Sequence, residues 1–485
     1  MAYKHGVYIS EVATSIVPPV DTETGLPVVF GTAPMHLATD PAAVNTPILC
    51  YTYAEAVAAF GYHDDWKKYT LCEFVKSHFA LFAMAPVVLV NVLDPATHKT
   101  AVTNQSVTLT PGAGTIADDG VMLSTLVLKL TAEGQPLVKG VDYTAAFNDD
   151  NQVAITRVLT STTLLANTAS VVATFNKLDP TAVVSDDIVG GVDVTTGAYE
   201  GLELVNKIFP LFRLVPGMIL APGWSTDPEV AAVMVAKAGN INEHFRCIAL
   251  TDVPTAIVKK YTDVAAWKET NNYVSPRQVV CWPKVKLGSD IYHLSTQLAG
   301  LICQTDAAND DVPYVSPSNK SLQSNGAVLA DGSVVLLGPD QAAYLNGQGI
   351  VTALNFIGGW KAWGNRTGAY PSVSDPKDAF LPIRRMFDWI GNTLVQTFWQ
   401  KVDFPVNRRL IETVVDSANI WLNGLTARQF ILGGRVEFNS SENPTTDLMD
   451  GIVKFHVYVT PPGPARELDF ILEYDTAYLE TLFGA

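Results

Sequence analysis

The chain has 485 residues, which at about 150 residues per domain corresponds to two to four domains. Hydrophobic residues make up 48% and charged residues only 16%, so apolar surface is plentiful and disorder is excluded for most of the chain. With 48 acidic against 32 basic residues the net charge is −16, a field that repels phosphate backbones and anionic bilayers and argues against nucleic acid and membrane surfaces as partners.

Residues 1–25 read as an arm. Val7 to Val12 alternates enough for one short strand, and Pro18-Pro19 and Gly25 then block a hairpin with an immediate neighbour. Such a strand must pair with a distant one or with another molecule. From Leu26 an α/β rhythm begins. Val28–Gly31 and Ile48–Tyr51 are predicted strands, Tyr53–Phe60 and Thr70–Ala83 helices, and Val87–Val92 a fully buried strand after Pro86.

Composition shifts near Asp94-Pro95. Residues 96–190 contain no Trp and no Cys, are rich in Thr, and carry short alternating runs such as Ser124–Thr131 and Val153–Val158 between turn clusters. That spacing predicts a separate all-β domain, a small sandwich or barrel, inserted into the first. Beyond Gly191 the rhythm resumes with a helix over Leu202–Phe209, a strand over Gly217–Gly223 and a helix over Asp227–Gly239. Further strands are expected at Cys247–Leu250 and Val279–Trp282, implying a largely parallel twisted sheet. Two later helices place Phe387, Ile390, Leu394 and Phe398 on one face, and Leu410, Val414, Trp421 and Leu425 on another, with Gly433-Gly434 ending that block. Strands at Ile452–Thr460 and Leu468–Tyr474, separated by Pro461-Pro462-Gly463-Pro464, close the chain. The expected fold is a discontinuous mixed-sheet α/β core with an inserted all-β domain and extended terminal strand arms. Its parts are an arm over 1–25, core over 26–95 and 191–465, the insert over 96–190 and a second arm over 466–485.

Catalytic constellations are not apparent. Gly112-Ala113-Gly114 matches a loose dinucleotide fingerprint, but Asp118-Asp119-Gly120 follows it as a turn where a helix is required. Gly223-Trp224-Ser225-Thr226-Asp227 lies where a nucleophile elbow would, yet Asp227 replaces the second glycine, and Ser225 or Thr226 reads as a helix N-cap. The eight histidines include no i, i+4 pair, and His63-Asp64-Asp65 reads as a solvated loop, with a metal ligand set as the alternative. No metal and no cofactor are expected. Cys50, Cys72, Cys247, Cys281 and Cys303 show neither metal nor redox spacing and read as buried free thiols of a reducing cytoplasm. The opening six residues lack an apolar leader core, and the longest apolar run, Phe79–Val90, falls short of the roughly 18 residues that cross a bilayer. A cytoplasmic product without membrane insertion is expected. Arg384-Arg385 and Arg408-Arg409 are tight basic pairs in an acidic chain, read either as caps and salt bridges or as docking points for an acidic partner.

Several segments, in order, resemble the tail sheath proteins of contractile phage tails and related contractile injection particles. They are His5-Gly6-Val7-Tyr8-Ile9-Ser10-Glu11-Val12, Val28-Val29-Phe30-Gly31-Thr32-Ala33-Pro34, Pro216 to Gly223, Ser316-Pro317-Ser318-Asn319-Lys320, Leu345-Asn346-Gly347-Gln348-Gly349-Ile350 with Trp363-Gly364-Asn365-Arg366-Thr367, Ile383-Arg384-Arg385, and Thr460 to Arg466. The resemblance covers about residues 5–95 and 190–480. It implies a structural subunit, not an enzyme, that polymerises helically around a tail tube and contracts to drive the tube through a host envelope. It also implies a core nearest the tube, an outward-facing insert, and arms that add strands to neighbouring subunits. Implied partners are other copies of the chain, a tail tube protein, and baseplate and terminator proteins, in a virion tail assembled in the host cytoplasm.

The arm residues expected to add strands are Val7, Tyr8, Ile9, Val12, Leu468, Phe470, Leu472 and Tyr474. Candidates for tube contact are Arg384, Arg385, Arg408, Arg409 and Arg428, on the polar faces of the two late helices. The alternatives are the sheath of a capsid-less bacterial injection particle or bacteriocin and, in a different class, a cytoplasmic α/β hydrolase with a β-sandwich accessory domain.

Overall fold

The computed structural model describes residues 24–483. Its centre is an eight-stranded sheet in the order Trp360–Trp363, Ile350–Asn355, Gln278–Cys281, Ile248–Asp252, Met218–Leu220, Pro27–Gly31, Val87–Asn91, Ile48–Cys50. Five successive pairings are parallel, and an antiparallel strand closes each edge. The central strands are near-continuous runs of Val, Ile and Leu because helices cover both faces, so alternation would leave polar groups buried on one side. Val28, Val29, Phe30, Val88 to Val90, Ile219 and Leu250 are fully enclosed.

Local signals set several boundaries. Helix Tyr53–Phe60 starts where the Thr52 hydroxyl accepts from the Glu55 amide, while Glu55 accepts from the Tyr51 amide at 2.7 Å, and it ends at Gly61 with φ +73°. Helix Pro228–Gly239 is capped by Asp227, whose carboxylate accepts from the Glu229 amide. The expected caps Ser225 and Thr226 lie two residues and one residue earlier, in the connection from the preceding strand. The segment expected as one helix over Thr70–Ala83 is α-helical only over Thr70–Val75 and continues as a wider π-helix over Lys76–Leu81.

Within 96–190, two three-stranded antiparallel sheets enclose a core of their own, including Ile116, Leu128, Tyr143, Val153, Ile155, Val171 and Phe175. One sheet joins Lys99–Thr108, Ser170–Leu178 and Val127–Lys129; the other joins Ala113–Ile116, Val153–Arg157 and Tyr143–Phe147. Lys68 reaches Asp119 of this region at 2.9 Å.

The C-terminal part packs two long helices, Leu381–Phe398 and Arg408–Ala427, with a two-stranded sheet of Gly433–Glu437 and His456–Thr460. Gly433-Gly434 therefore opens a strand instead of ending the block. Gly434 has its reason: a Cβ there would stand 3.2 Å from both Ile431 Cδ1 and the Tyr458 carbonyl oxygen.

Candidate assembly surfaces

In a doubly wound sheet, a ligand crevice opens at the carboxyl ends of the strands where the order reverses. Here the order reverses beside Pro27–Gly31, whose neighbours are Val87–Asn91 and Met218–Leu220. That place is filled by the chain itself. The Thr32 and Thr70 hydroxyls each accept from the other's backbone amide, at 3.1 and 3.2 Å, and a Cβ on Gly31 would lie 2.3 Å from Thr70 Oγ1. Next to it, buried Glu73 accepts from the His293 amide at 2.6 Å and pairs with His293 Nδ1 at 2.8 Å. Burial alone would raise the Glu73 carboxyl; His293 outweighs it and holds the group below the usual carboxylate range. Asp252 bonds both the amide and the hydroxyl of Ser295, and burial pushes its carboxyl up. Ser225, the residue at the elbow position, is fully buried, and its Oγ accepts from the Asp252 amide at 3.2 Å. A nucleophile must be reachable, and this hydroxyl is spent on holding two loops together.

His63 lies at the insert contact, with its Nδ1 accepting from the Asp65 amide and its Nε2 3.7 Å from Asp119. No group of three or more His, Cys, Asp or Glu side chains among the described residues is arranged to hold a metal. All five cysteines are buried free thiols, and burial raises each of them. No helix among the described residues is long and apolar enough to cross a membrane.

What the chain does leave open is backbone and apolar surface at its C-terminal end. Residues 461–475 form no ladder with any described strand. The strand expected at Leu468–Tyr474 is not formed among the described residues, none of which pairs with it, and Leu468, Phe470, Leu472 and Tyr474 are 75 to 94% exposed. Glu467, Asp469, Glu473 and Asp475 alternate with them, so an extended conformation puts an apolar row on one face and a mainly acidic row, interrupted by the exposed Ile471, on the other. Each strand of the nearby two-stranded sheet pairs with one neighbour only, leaving an outer edge unpaired among the described residues. Val7, Tyr8, Ile9 and Val12 lie outside the described residues.

The five arginines divide into two groups. Arg384 and Arg385 are 6 and 5% exposed and form core ion pairs, so they cannot face a partner. Arg384 donates to Asp378 and Asp388, each at 3.0 Å, and Arg277 donates to Asp388 at 2.8 Å. Arg385 grips Asp306 with both terminal nitrogens. The reason is that the first turns of helix Leu381–Phe398 are buried nearly all round: every residue from Leu381 to Met386 and from Asp388 to Ile390 is enclosed, while Phe387, Leu394 and Phe398 of the expected apolar face are only half-buried. Its polar face is therefore not free. An acidic residue one turn on does not by itself show this, since buried Arg384 has Asp388 at i+4 and exposed Arg408 has Glu412 at i+4.

Arg408, Arg409 and Arg428 are exposed. Arg408 pairs with Glu412 at 2.6 Å, and the Arg428 guanidinium lies 4.3 Å from the Phe430 ring centre. Apolar groups missed by the sequence reading surround this hairpin: Trp399, Val402, Phe404 and Val406 of the connection are all exposed. Val402, Phe404 and Val406 fall at every second position, but Pro405 interrupts the run and it is too short to stand out as a strand.

No family model matches the chain. Across 493 aligned residues it is 29% identical to the tail sheath protein of Burkholderia phage BcepMu, covering 99% of both chains. Its fold is similar to the sheath complex of an extracellular contractile injection system in the contracted state, with TM-score 0.59 and 14% identity over 98% of this chain and 99% of that one. The anti-feeding prophage helical sheath in the contracted state gives TM-score 0.54 at 14% identity, over 98% of this chain and 99% of the other. A sheath tail protein from Desulfitobacterium hafniense gives 0.53 at 13% identity, over 94% and 96%. The chain is a full-length homologue of a phage tail sheath protein, and it has the sheath fold.

Proposed function

We propose that this chain is the subunit of a contractile tail sheath, a structural and non-enzymatic protein that polymerises helically around a tail tube and contracts once. The observation that carries this reading beyond family likeness is the unpaired segment 461–475, which exposes five large apolar side chains, Leu468, Phe470, Ile471, Leu472 and Tyr474, four of them at every second position. Its partner is then an open strand edge on a neighbouring copy, and the sheet of Gly433–Glu437 and His456–Thr460 supplies such edges. Each added main-chain hydrogen bond contributes about 1 kcal/mol net. A donor on one end and an acceptor elsewhere make a heterologous contact, which propagates as a helix instead of closing as a dimer. Val7–Val12 is proposed as the second donor.

In this reading the insert, residues 96–190, is a domain on the outer surface, and the exposed arginines Arg408, Arg409 and Arg428 face the tube or neighbouring subunits. Baseplate and terminator proteins cap the polymer, which forms in the host cytoplasm. Contraction is a passage from a metastable packing to one with more buried surface and consumes no nucleotide. The fold alone also fits a capsid-less injection particle, and the full-length phage relative favours the virion. The hydrolase alternative has no support at Ser225, which is buried. Electron microscopy of the purified protein tests the reading: rods or tubes are expected, and uniform discrete particles at every concentration would refute it.

A further inference from the structure

A groove of about 400 Å³ lies between helix Val205–Phe212, residues 242–245 and the end of helix Leu381–Phe398. Its lining is apolar and aromatic: Phe209, Pro210, Phe245, Val395 and Trp399. The Phe209 and Phe245 rings stand 4.6 Å apart, and His244 meets Trp399 edge-on at 5.0 Å. Trp399 is 58% exposed, and Arg213 and His244 stand exposed at the rim. An aromatic trough of this kind, open to solvent, calls for an occupant.

The groove does not end at Val395. One turn back along the same helix, Asn392 exchanges hydrogen bonds with the Arg246 backbone, at 3.0 and 2.8 Å, and these two residues line a smaller cavity together with Arg385 and Thr24. Phe245 and Arg246 are adjacent, so cavity and groove lie in line along the helix between Arg385 and Trp399, on either side of the Asn392–Arg246 hydrogen bonds, over which a chain would pass. Thr24 stands at its start, held there by Arg385 and by its own hydroxyl donating to the Asp311 carbonyl.

The length of chain preceding Thr24 matches this track. From Arg385 to Trp399 the helix rises about 21 Å, at 1.5 Å per residue. An extended segment covers ~3.3 Å per residue, so about six or seven residues, 17–23, reach the far end. Ile16-Val17-Pro18-Pro19-Val20 is apolar, and its two prolines lack the amide that a strand partner would require. Proline-rich segments suit aromatic-lined grooves. Asp21 and Glu23 follow, where the track is flanked by the exposed cation Arg246.

We propose that this groove is the seat of the chain's own residues 16–20, so that the arm is fixed along helix Leu381–Phe398 and only residues 1–15 reach outward. The seat belongs to the single chain and does not depend on the sheath reading. The test is cysteine pairing in the full-length protein, whose own thiols are buried. On mild oxidation, the double variant Val20→Cys with Gln396→Cys is expected to form a disulfide within one chain, seen as a fast-running monomer on a non-reducing denaturing gel. Val20→Cys with Ile257→Cys, a position beyond the opposite ends of the strands, should not link. Links between two chains, or equal linking of the two pairs, overturn the proposal. Hydrogen exchange is the second measurement. Amides of 242–246 and 395–399 should exchange about tenfold faster in Val17→Asp/Val20→Asp than in the wild type. Identical exchange in the two proteins overturns it as well.

Discussion

Arg385, near the start of helix Leu381–Phe398, grips Asp306, at the end of the buried helix Leu294–Ala307, through both terminal nitrogens of its guanidinium. The same side chain lies 3.5 Å from the Thr24 carbonyl, and Cys303 donates to the Gly25 carbonyl at 3.0 Å. One ion pair thus ties together the late helix, the central helix layer and the point where the N-terminal segment enters the sheet.

Breaking that pair from one side should be costly. Arg385→Met leaves Asp306 buried without its partner, and a loss of about 3–5 kcal/mol is expected by denaturant unfolding. Arg385→Met combined with Asp306→Leu should recover most of the loss. Equal destabilisation by the single and double variants would show that the pair is not the source.

Acid sensitivity should arise at His78. It is fully enclosed beside Phe74, neither ring nitrogen has a hydrogen-bond partner among the described residues, and burial pushes its pKa down to about 3 from 6.5. The unfolded chain binds a proton below pH 6.5 that the folded chain refuses until about pH 3. Stability contributed by the neutral ring is therefore complete above 6.5 and lost as pH falls through that window, at up to about 1.4 kcal/mol per pH unit. His78→Leu should flatten the acid limb of stability against pH by one proton; an unchanged slope contradicts the assignment.

Gly217 admits no side chain. A Cβ there would fall 2.1 Å from the Thr24 carbonyl oxygen, so Gly217→Ala must displace backbone at the root of the arm. A loss of about 1–3 kcal/mol is expected in thermal unfolding, against a much smaller effect of Gly239→Ala, whose Cβ meets open space.

Residues 96–190 expressed alone should give a β-type far-UV spectrum and a cooperative melt, because the two sheets enclose their own core. A featureless, non-cooperative melt would contradict its independence. In a helical reconstruction it should face outward.

Charge reversal at Arg408 and Arg409 should weaken assembly on tubes, most clearly at low salt, where exposed charges are least screened. Assembly equal to wild type at every salt concentration would remove both from the contact.

These residues also show what a sequence discloses. Helix Tyr53–Phe60 was legible to its ends because its cap and terminating glycine are local. The parallel core strands were legible because burial on both faces leaves unbroken apolar runs. Arg384-Arg385 and Arg408-Arg409 look alike as dipeptides, yet the first pair is buried and the second exposed, since acidic partners as distant as Asp306 decide which cations can enter a core. Leu468–Tyr474 has much of the alternation of a strand and pairs with nothing among the described residues, because a ladder needs a partner that composition does not reveal. The groove ending at Trp399 is assembled from three separate segments, so no spacing announced it.

The central claim is that polymerisation runs through strands donated by the ends of the chain. Its most direct test is electron microscopy of Leu468→Asp/Phe470→Asp/Leu472→Asp beside the wild type, with thermal unfolding of both. These side chains touch little within the chain, so the variant should melt as the wild type does. The wild type is expected to form long tubes and the variant none. Tubes of normal length from the triple variant would contradict the account.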